Sequence, residues 1–487
     1  MNDAISETIQ RFGLLSPADC LRCEVCCRFP SPDSPLAPFF SNDEIECAVA
    51  AGAAREAFPP SVFGPGHPVF LEPFDTISRC PCFRPDRNDC RIYANRPADC
   101  RLYPFMLMYD APGKRVMLGL DRYCTVMQRR KSDPGLSECA DALAALLDGN
   151  MREEIVARRG IVTPWKEHVE LLREMPGLTA GLCRSDLGLA RLTIPAREIL
   201  RPYFEAEASA LAGHTFAAVA LWTGIFDLYW MTSGDCLLVF ASGDGDTFLF
   251  LPPLGAGDVG EAARAGLETL RALAPDAPSP RIQDADEATR EKLFPFGWRV
   301  RESDVEYVYR RTAMAELAGN RYEKKRQRCN HFERNYDWQW RPFQPEDVPS
   351  AVALYRGWLA NRAATTEDDF YVAQAQVSFR TFYRGLCCGE ELGLAARVLE
   401  ADGRMSGVTV ACPLHDGKSF STMFEVSDLG VKGSAQFMFR QLCRELDSYA
   451  FVNAGGSSGL EDLRRVKESY RPDFRLISHV LVLPKSR

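Results

Sequence analysis

The chain has 487 residues, 46% of them hydrophobic and 25% charged, with a formal net charge of −8. Those values fit a soluble globular protein of roughly two to four domains, and the acidic balance argues against a uniformly basic, nucleic-acid-coating surface. No apolar run reaches the roughly 18–20 residues of a membrane span, and the opening MNDAISETIQRFG lacks the basic and apolar segments of a secretory signal. A cytoplasmic location is therefore expected, where thiols stay reduced.

Eleven of the 18 cysteines lie in the first 150 residues. Four fall in CLRCEVCC (Cys20, Cys23, Cys26, Cys27), four more in CPCFRPDRNDCRIYANRPADCR (Cys80, Cys82, Cys90, Cys100), and Cys124 follows. Two-residue gaps let one turn of backbone aim several sulfurs at a single point, as zinc or an iron–sulfur cluster requires. Residues 1–150 are therefore expected to be a small metal-organised module whose thin core the metal supplements. Seven to nine candidate ligands leave one cluster with spares or two sites open. Cys47, Cys139 and the seven later cysteines read as core.

Residues 151–190 read as a helical connector. Beyond them the same order occurs twice. In 191–311, three strands (GIFDLYWMT, CLLVFAS, TFLFLPPL) separated by Gly/Asp turns precede a helix, the strand RIQDA, a short helix and the strand VEYVYRR. In 312–487, a leading helix (312–336) and two more precede the strands GLAARVLEAD, MSGVTVACPL and SFSTMFEVS. The helix SAQFMFRQLCRELD, the strand YAFVN, the helix LEDLRRVKESY and the strand FRLISHVLVL follow. Alternation of Val408, Val410 and Cys412 suggests sheets half-covered by helices. The expected fold class is mixed α/β (α+β), a cysteine-rich module ahead of two like units of acyltransferase type.

Two resemblances sharpen this. CLRCEVCC with CPCF and CRIYANRPADCR resembles the YkgJ-type cysteine-cluster family, a zinc- or iron-chelating domain, over residues 18–125. The resemblance puts Cys20, Cys23, Cys26, Cys27, Cys82, Cys90 and Cys100 at metal positions, with Cys80 and Cys124 as further candidates. Residues 190–487, through TFAAVALWTGIFDLYW, FLPPLGAGD, EYVYRRTAMAELAGNRYEKKRQRCNHFERNY and SGLEDLRRVKESYRPDF, resemble the family of the C-terminal catalytic domain of phosphatidylglycerol lysyltransferase. That resemblance implies tandem GNAT-type domains and transfer of an aminoacyl group from tRNA, or an acyl group from coenzyme A, to an amine or hydroxyl. Departures are Gly455 and Ser457 where acids are common, Val426 where a lysine is usual, and no membrane-spanning half, which makes a phospholipid acceptor less expected while leaving peripheral membrane contact open.

Residues 321–341 carry seven Lys/Arg against three acids. Lys324, Lys325 and Arg328 are candidates for phosphate contacts to tRNA, coenzyme A or lipid head groups, against the plain reading of a solvated helix face. Trp338 and Trp340 share a face, for core packing or base stacking. In DLGVKGSAQ, Gly430, Gly433 and Ser434 open a helix whose free amides suit a phosphate. In LEDLRRVKESY, Lys467 and Arg464 share a flank and are candidates for substrate phosphate or carbonyl, Tyr470 for a proton donor, and Glu425 for the base that acyl transfer needs. Helix-capping or ion-pair roles for each stay open. The competing function is a metal- or redox-responsive adaptor with an inactive transferase body.

Overall fold

The computed structural model describes residues 2–483 apart from 17, 20–22, 24, 30–33, 35, 59–66, 70, 76, 131–132, 224, 244, 276–279 and 364–368. The chain divides into two compact units, Met1–Ala196 and Arg197–Arg487.

The first unit has more core than its loop-like composition suggests. The hairpin Phe105–Tyr109 and Val116–Asp121 is buried at every position. Val162–Thr163 adds to it in parallel and Val169–Glu174 antiparallel, giving a four-stranded sheet. Helices Asn2–Arg11, Pro134–Ala145 and Pro176–Cys183 supply Ile5, Ile9, Leu143, Leu178 and Leu182 to the same core. Residues 151–190 are therefore no helical connector, because their two strands complete this sheet and place them inside the unit. A second, smaller core gathers Phe29, Phe40, Phe58, Phe83 and Ile92 beneath short ladders such as Arg28–Phe29 with Ile77–Arg79.

In the second unit the repeat is plain. Asp227–Ser233, Cys236–Gly243 and Asp246–Leu249 form an antiparallel meander. The helix Val259–Leu273, capped by the Asp258 side chain, leads to Arg281–Ala285, which lies parallel to Asp246–Leu249. Ala395–Ala401, Arg404–Pro413 and Ser419–Ser427 repeat the meander. The helix Ser434–Glu445 then leads to Phe451–Asn453, parallel to Ser419–Ser427. Each repeat thus has one parallel pair at the same place.

The last strands are exchanged. Arg299–Arg310, ending the first repeat, pairs with Phe451–Asn453 of the second. Phe474–Val482, ending the second, pairs with Arg281–Ala285 of the first. The two run antiparallel to each other from Arg299↔Val482 to Val308↔Phe474. The repeats therefore share one continuous sheet, and the expected cut at 311/312 corresponds to no break in it.

Three further departures have simple causes. The expected helix over 312–336 is two, Arg311–Glu316 and Glu323–Asn335, because Leu317 and Gly319 take positive φ of 52° and 83°. Trp338 and Trp340 sit on a short edge strand, Trp338–Pro342, that pairs with Ala395–Ala401. The central strand Arg404–Pro413 is covered on both faces, not one. Val408 and Val410 meet the helix pair Val348–Ala363 and Asp369–Cys387, while Ala411 meets the side of Ser434–Glu445.

A candidate acyl-transfer cleft and a divided thiol group

Ser419–Ser427 pairs with Phe451–Asn453 only through Ser419, Phe420 and Ser421. The first strand then runs on while its partner turns into the loop 454–460, so the sheet opens between them. Phe424 and Val426 pack towards the Val348–Ala363 side, which by strand alternation turns Glu425 to the opposite face. There stand Tyr309, Phe439, Cys443 and Tyr470. Solvent reaches Glu425, yet protein surrounds it closely enough that burial pushes its carboxyl up to about 7, offset in part by the Lys467 ammonium. A group both reached by water and ringed by protein lines a cleft.

Lys467 comes from the short helix Glu461–Glu468. Burial lowers its ammonium to about 8, against the opposing pull of Glu425, Asp304 and Glu306. Its Nζ donates to the Ala454 carbonyl at 2.6 Å and to the Gly456 carbonyl. An ammonium has three N–H donors, so one remains. The Tyr309 hydroxyl donates to the Lys467 carbonyl at 2.9 Å and fixes the helix end. Tyr470 is pushed well above the ordinary phenol range by burial, so it stays protonated. Its ring packs on Tyr309 and Phe439 at 6.0 and 5.5 Å, and the Lys325 ammonium lies 3.9 Å from its centroid. Burial, with Arg328 next, lowers Lys325 to about 8.

The structure thus brings Glu425, Lys467, Tyr470 and Lys325 together. Lys324 and Arg328 face solvent on the same helix as Lys325. Arg464 is also exposed, 3.6 Å from Glu461, and does not join the group. Gly433 is the helix N-cap at φ 92°, and a Cβ there would stand 2.3 Å from the Arg328 carbonyl oxygen. Close backbone crossing, besides the turn, therefore demands glycine. Ser434 is buried and its hydroxyl donates to the Val431 carbonyl at 2.8 Å, while the Gly430 N–H donates to Asp428 at 2.8 Å. Gly430 also borders a cavity of about 600 Å³ walled by Arg341, Leu354, Trp358, Met405 and Leu429. Trp338 packs edge-on against Phe437 at 4.8 Å, and the Trp340 indole donates to Glu445 at 2.8 Å, so both rings are spent on the fold.

Sequence reasoning missed Tyr309, Asp304, Glu306 and Asn453. For the first three the signal is spatial, since the 299–310 strand reaches this cleft only through the exchange, and Asn453 is tied to Glu306 of that strand.

The thiols divide. Cys27, Cys80, Cys82 and Cys90 pack in the smaller core. The Cys80 N–H donates to the Cys27 carbonyl at 3.1 Å, and Cys90 lies opposite Phe83 in a two-residue ladder. Burial, with Cys90 next, raises Cys27 to about 12; burial, with Asp99 next and then Cys27 and Cys90, raises Cys100 well above the ordinary thiol range. Cys100 therefore belongs to this group of five. Cys124 instead sits in the larger core with Tyr103 packed on it, Cys26 bonds the Tyr103 hydroxyl, and the Cys23 sulfur lies 3.7 Å from the Thr125 hydroxyl. Adjacent Cys26 and Cys27 thus serve different neighbourhoods. Cys20 lies outside the described residues. Among the described residues no three metal-type donors already converge on one point, but five neighbouring thiols, Cys80 and Cys82 buried and Cys27, Cys90 and Cys100 half-buried, are a donor set suited to a soft cation, which would replace their protons. Cys139 is buried as expected, whereas Cys47 is exposed and not core.

Residues 206–477 match the family model described as phosphatidylglycerol lysyltransferase, C-terminal. The chain belongs to this family. Residues 19–125 match a putative zinc- or iron-chelating domain. Among solved structures, a conserved protein of unknown function from Bacteroides thetaiotaomicron VPI-5482 is similar at 20% identity and a TM-score of 0.54, over 61% of this chain and 99% of that one. The L-PGS of Bacillus licheniformis is similar at 17% identity and 0.44, over 60% and 92%. A tandem GNAT protein from the clavulanic acid biosynthesis pathway is similar at 11% identity and 0.38, over 61% and 99%. No curated protein matches. The second unit is built from two like repeats, as its strand order shows. Among the described residues no helix is long and apolar enough to cross a membrane.

Proposed function

We propose that this chain transfers an aminoacyl or acyl group from a carrier, charged tRNA or coenzyme A, to an amine or hydroxyl acceptor. The observation that carries the reading is the Glu425–Lys467 pair in the opened sheet, with carboxyl and ammonium both moved towards neutrality. A base poised near operating pH is the most effective proton acceptor. Glu425 takes a proton from the acceptor as its nitrogen or oxygen attacks the carbonyl carbon. The remaining N–H of Lys467 and the protonated Tyr470 donate to the oxygen that gains charge. The new C–N or C–O bond forms, the carrier's ester or thioester bond breaks, and the proton passes to the leaving oxygen or sulfur. Lys324, Lys325 and Arg328 on the near helix suit carrier phosphates, with the Gly430–Ser434 loop and Arg464 as further contacts.

The five-thiol group of Cys27, Cys80, Cys82, Cys90 and Cys100 would hold zinc or iron and brace the first unit.

The test is label transfer from charged tRNAs and acyl-coenzyme A to amine and hydroxyl acceptors. Glu425→Gln and Lys467→Ala are each expected to lower kcat/KM by at least 100-fold. Unchanged transfer in both variants refutes the site. The adaptor reading draws support from the two backbone carbonyls that already hold Lys467; tight donor binding with no turnover for any acceptor would select it.

A further inference from the structure

The exchanged strand brings two carboxylates of the first repeat to the loop that cages Lys467. Asp304 accepts from the Ser457 and Ser458 N–H groups at 3.2 and 3.0 Å. Glu306 is buried and accepts from the Asn453 side-chain amide at 2.6 Å and from the Ala212 N–H at 3.0 Å. Asn453 in turn accepts from the Gly455 N–H at 2.8 Å and donates to the Ala210 carbonyl at 2.8 Å. Backbone bonds link Tyr307 to Gly455 and Ala454 at 3.2 and 3.0 Å. Every residue from 453 to 458 except Gly456 is thus tied by hydrogen bonds to this strand or within the loop. Gly456 is bound by space instead, because a Cβ there would stand 2.0 Å from an Asp304 oxygen. The carboxylate occupies the room a loop side chain would need.

We propose that Asp304 and Glu306 are positioning residues for Lys467, so that the ammonium of the second repeat is set in place by a strand of the first. The two carbonyls that grip the ammonium belong to Ala454 and Gly456, inside the segment these carboxylates hold. Neutral side chains of the same shape would fix the loop without adding charge. Asp304 does both, holding the loop and helping to keep Lys467 cationic in a site that burial would otherwise neutralise, while Glu306, pushed up to about 7 by burial and then Asp284, adds its charge once ionised, before Lys467 loses its proton. The charged groups acting on Lys467 are Glu425 from its own repeat and Asp304 and Glu306 from the other. Neither Asp304 nor Glu306 touches the reacting atoms.

This inference deepens the transferase reading and rests on it for its catalytic meaning, but its test needs no turnover. Lys467 is followed in the full-length chain by carbon-13 methyl labelling of lysines, assigned with Lys467→Arg, and loop amides are followed by hydrogen exchange. Asp304→Asn and Glu306→Gln are each expected to shift the Lys467 titration at least threefold in proton affinity towards the neutral amine. Asp304→Asn should speed exchange at Ser457 and Ser458 at least tenfold. Gly456→Ala should lower the melting temperature in the wild-type background and cost clearly less with Asp304→Gly, which vacates the space. Unmoved Lys467 titration in both carboxylate variants overturns the proposal, as does a Gly456→Ala penalty that ignores residue 304. If Lys467 shifts as expected while no donor supports transfer, the transferase reading falls and the positioning stands. If transfer occurs and Lys467 does not move, the reverse holds.

Discussion

Replacing Glu425 by glutamine should make the protein more stable at alkaline pH while removing its activity. The carboxyl moves from an ordinary 4.5 to about 7 on folding, chiefly through burial. At ~1.4 kcal/mol per tenfold change in proton affinity, that is ~3.4 kcal/mol against the ionised form. Glu425 is exposed and water screens it, so about half, ~1.7 kcal/mol, is expected in practice. The sign follows from proton counting. Between 4.5 and 7 the folded state holds a proton that the unfolded state has lost, so stability falls as pH rises through this window. Below pH 4.5 both states are protonated and the group contributes nothing; above pH 7 the penalty is complete. Glutamine keeps the shape and cannot ionise. Its removal of the partner charge from Lys467 offsets some of the gain. Urea unfolding of the full chain, followed on the second unit's tryptophans, should therefore give matching midpoints for Glu425→Gln and wild type near pH 4.5. At pH 8 the variant should be ahead by about 1–1.5 kcal/mol. A variant less stable than wild type at pH 8 would mean that Lys467 holds the carboxylate ionised at a profit, and the poised-base argument would be wrong.

Two further outcomes test other parts of the molecule. Gly433→Ala meets both a positive φ and the Arg328 carbonyl, so it should cost at least ~2 kcal/mol and lower the melting temperature of the second unit. Cys82→Ser should lose most of the bound zinc or iron, measured by elemental analysis of anaerobically purified protein, whereas Cys124→Ser, in the other core, should keep at least half of it. Equal loss in both would show that all these sulfurs serve one centre.

The arrangement explains why the halves of the second unit need each other. A strand exchange makes the middle of the sheet from both repeats, and one of the two strands, Arg299–Arg310, delivers Asp304, Glu306 and Tyr309 to a cleft whose other walls come from Lys325 and residues 425–470. A lesion in the Arg299–Arg310 strand therefore reaches the cleft without a change in any residue of the second repeat.

Much of this was legible in the linear chain. Period-two runs bounded by Gly and Asp turns placed nearly every strand of both repeats, since side-chain alternation is a local property of the backbone. The Ser419–Ser427 strand and the Val348–Ala363 helix fell on their expected residues. The three-residue spacing of Cys329 and Phe332, both buried on the Glu323–Asn335 helix, was likewise written in the sequence. The break at Leu317–Gly319 was not, because a single leucine in the left-handed region leaves no mark on a hydrophobic pattern.

What the residues alone determined is the order of elements, their duplication, the clustering of cysteines and the presence of Glu425, Lys467 and Tyr470 in one repeat. Tertiary structure alone decided who meets whom. Cys26 and Cys27 are neighbours in sequence, yet they enter different groups. Asp304 is 163 residues from Lys467 in the chain, yet it holds the same loop. Long-range strand pairing makes such contacts, and it depends on register across the whole sheet, which no local window of sequence contains.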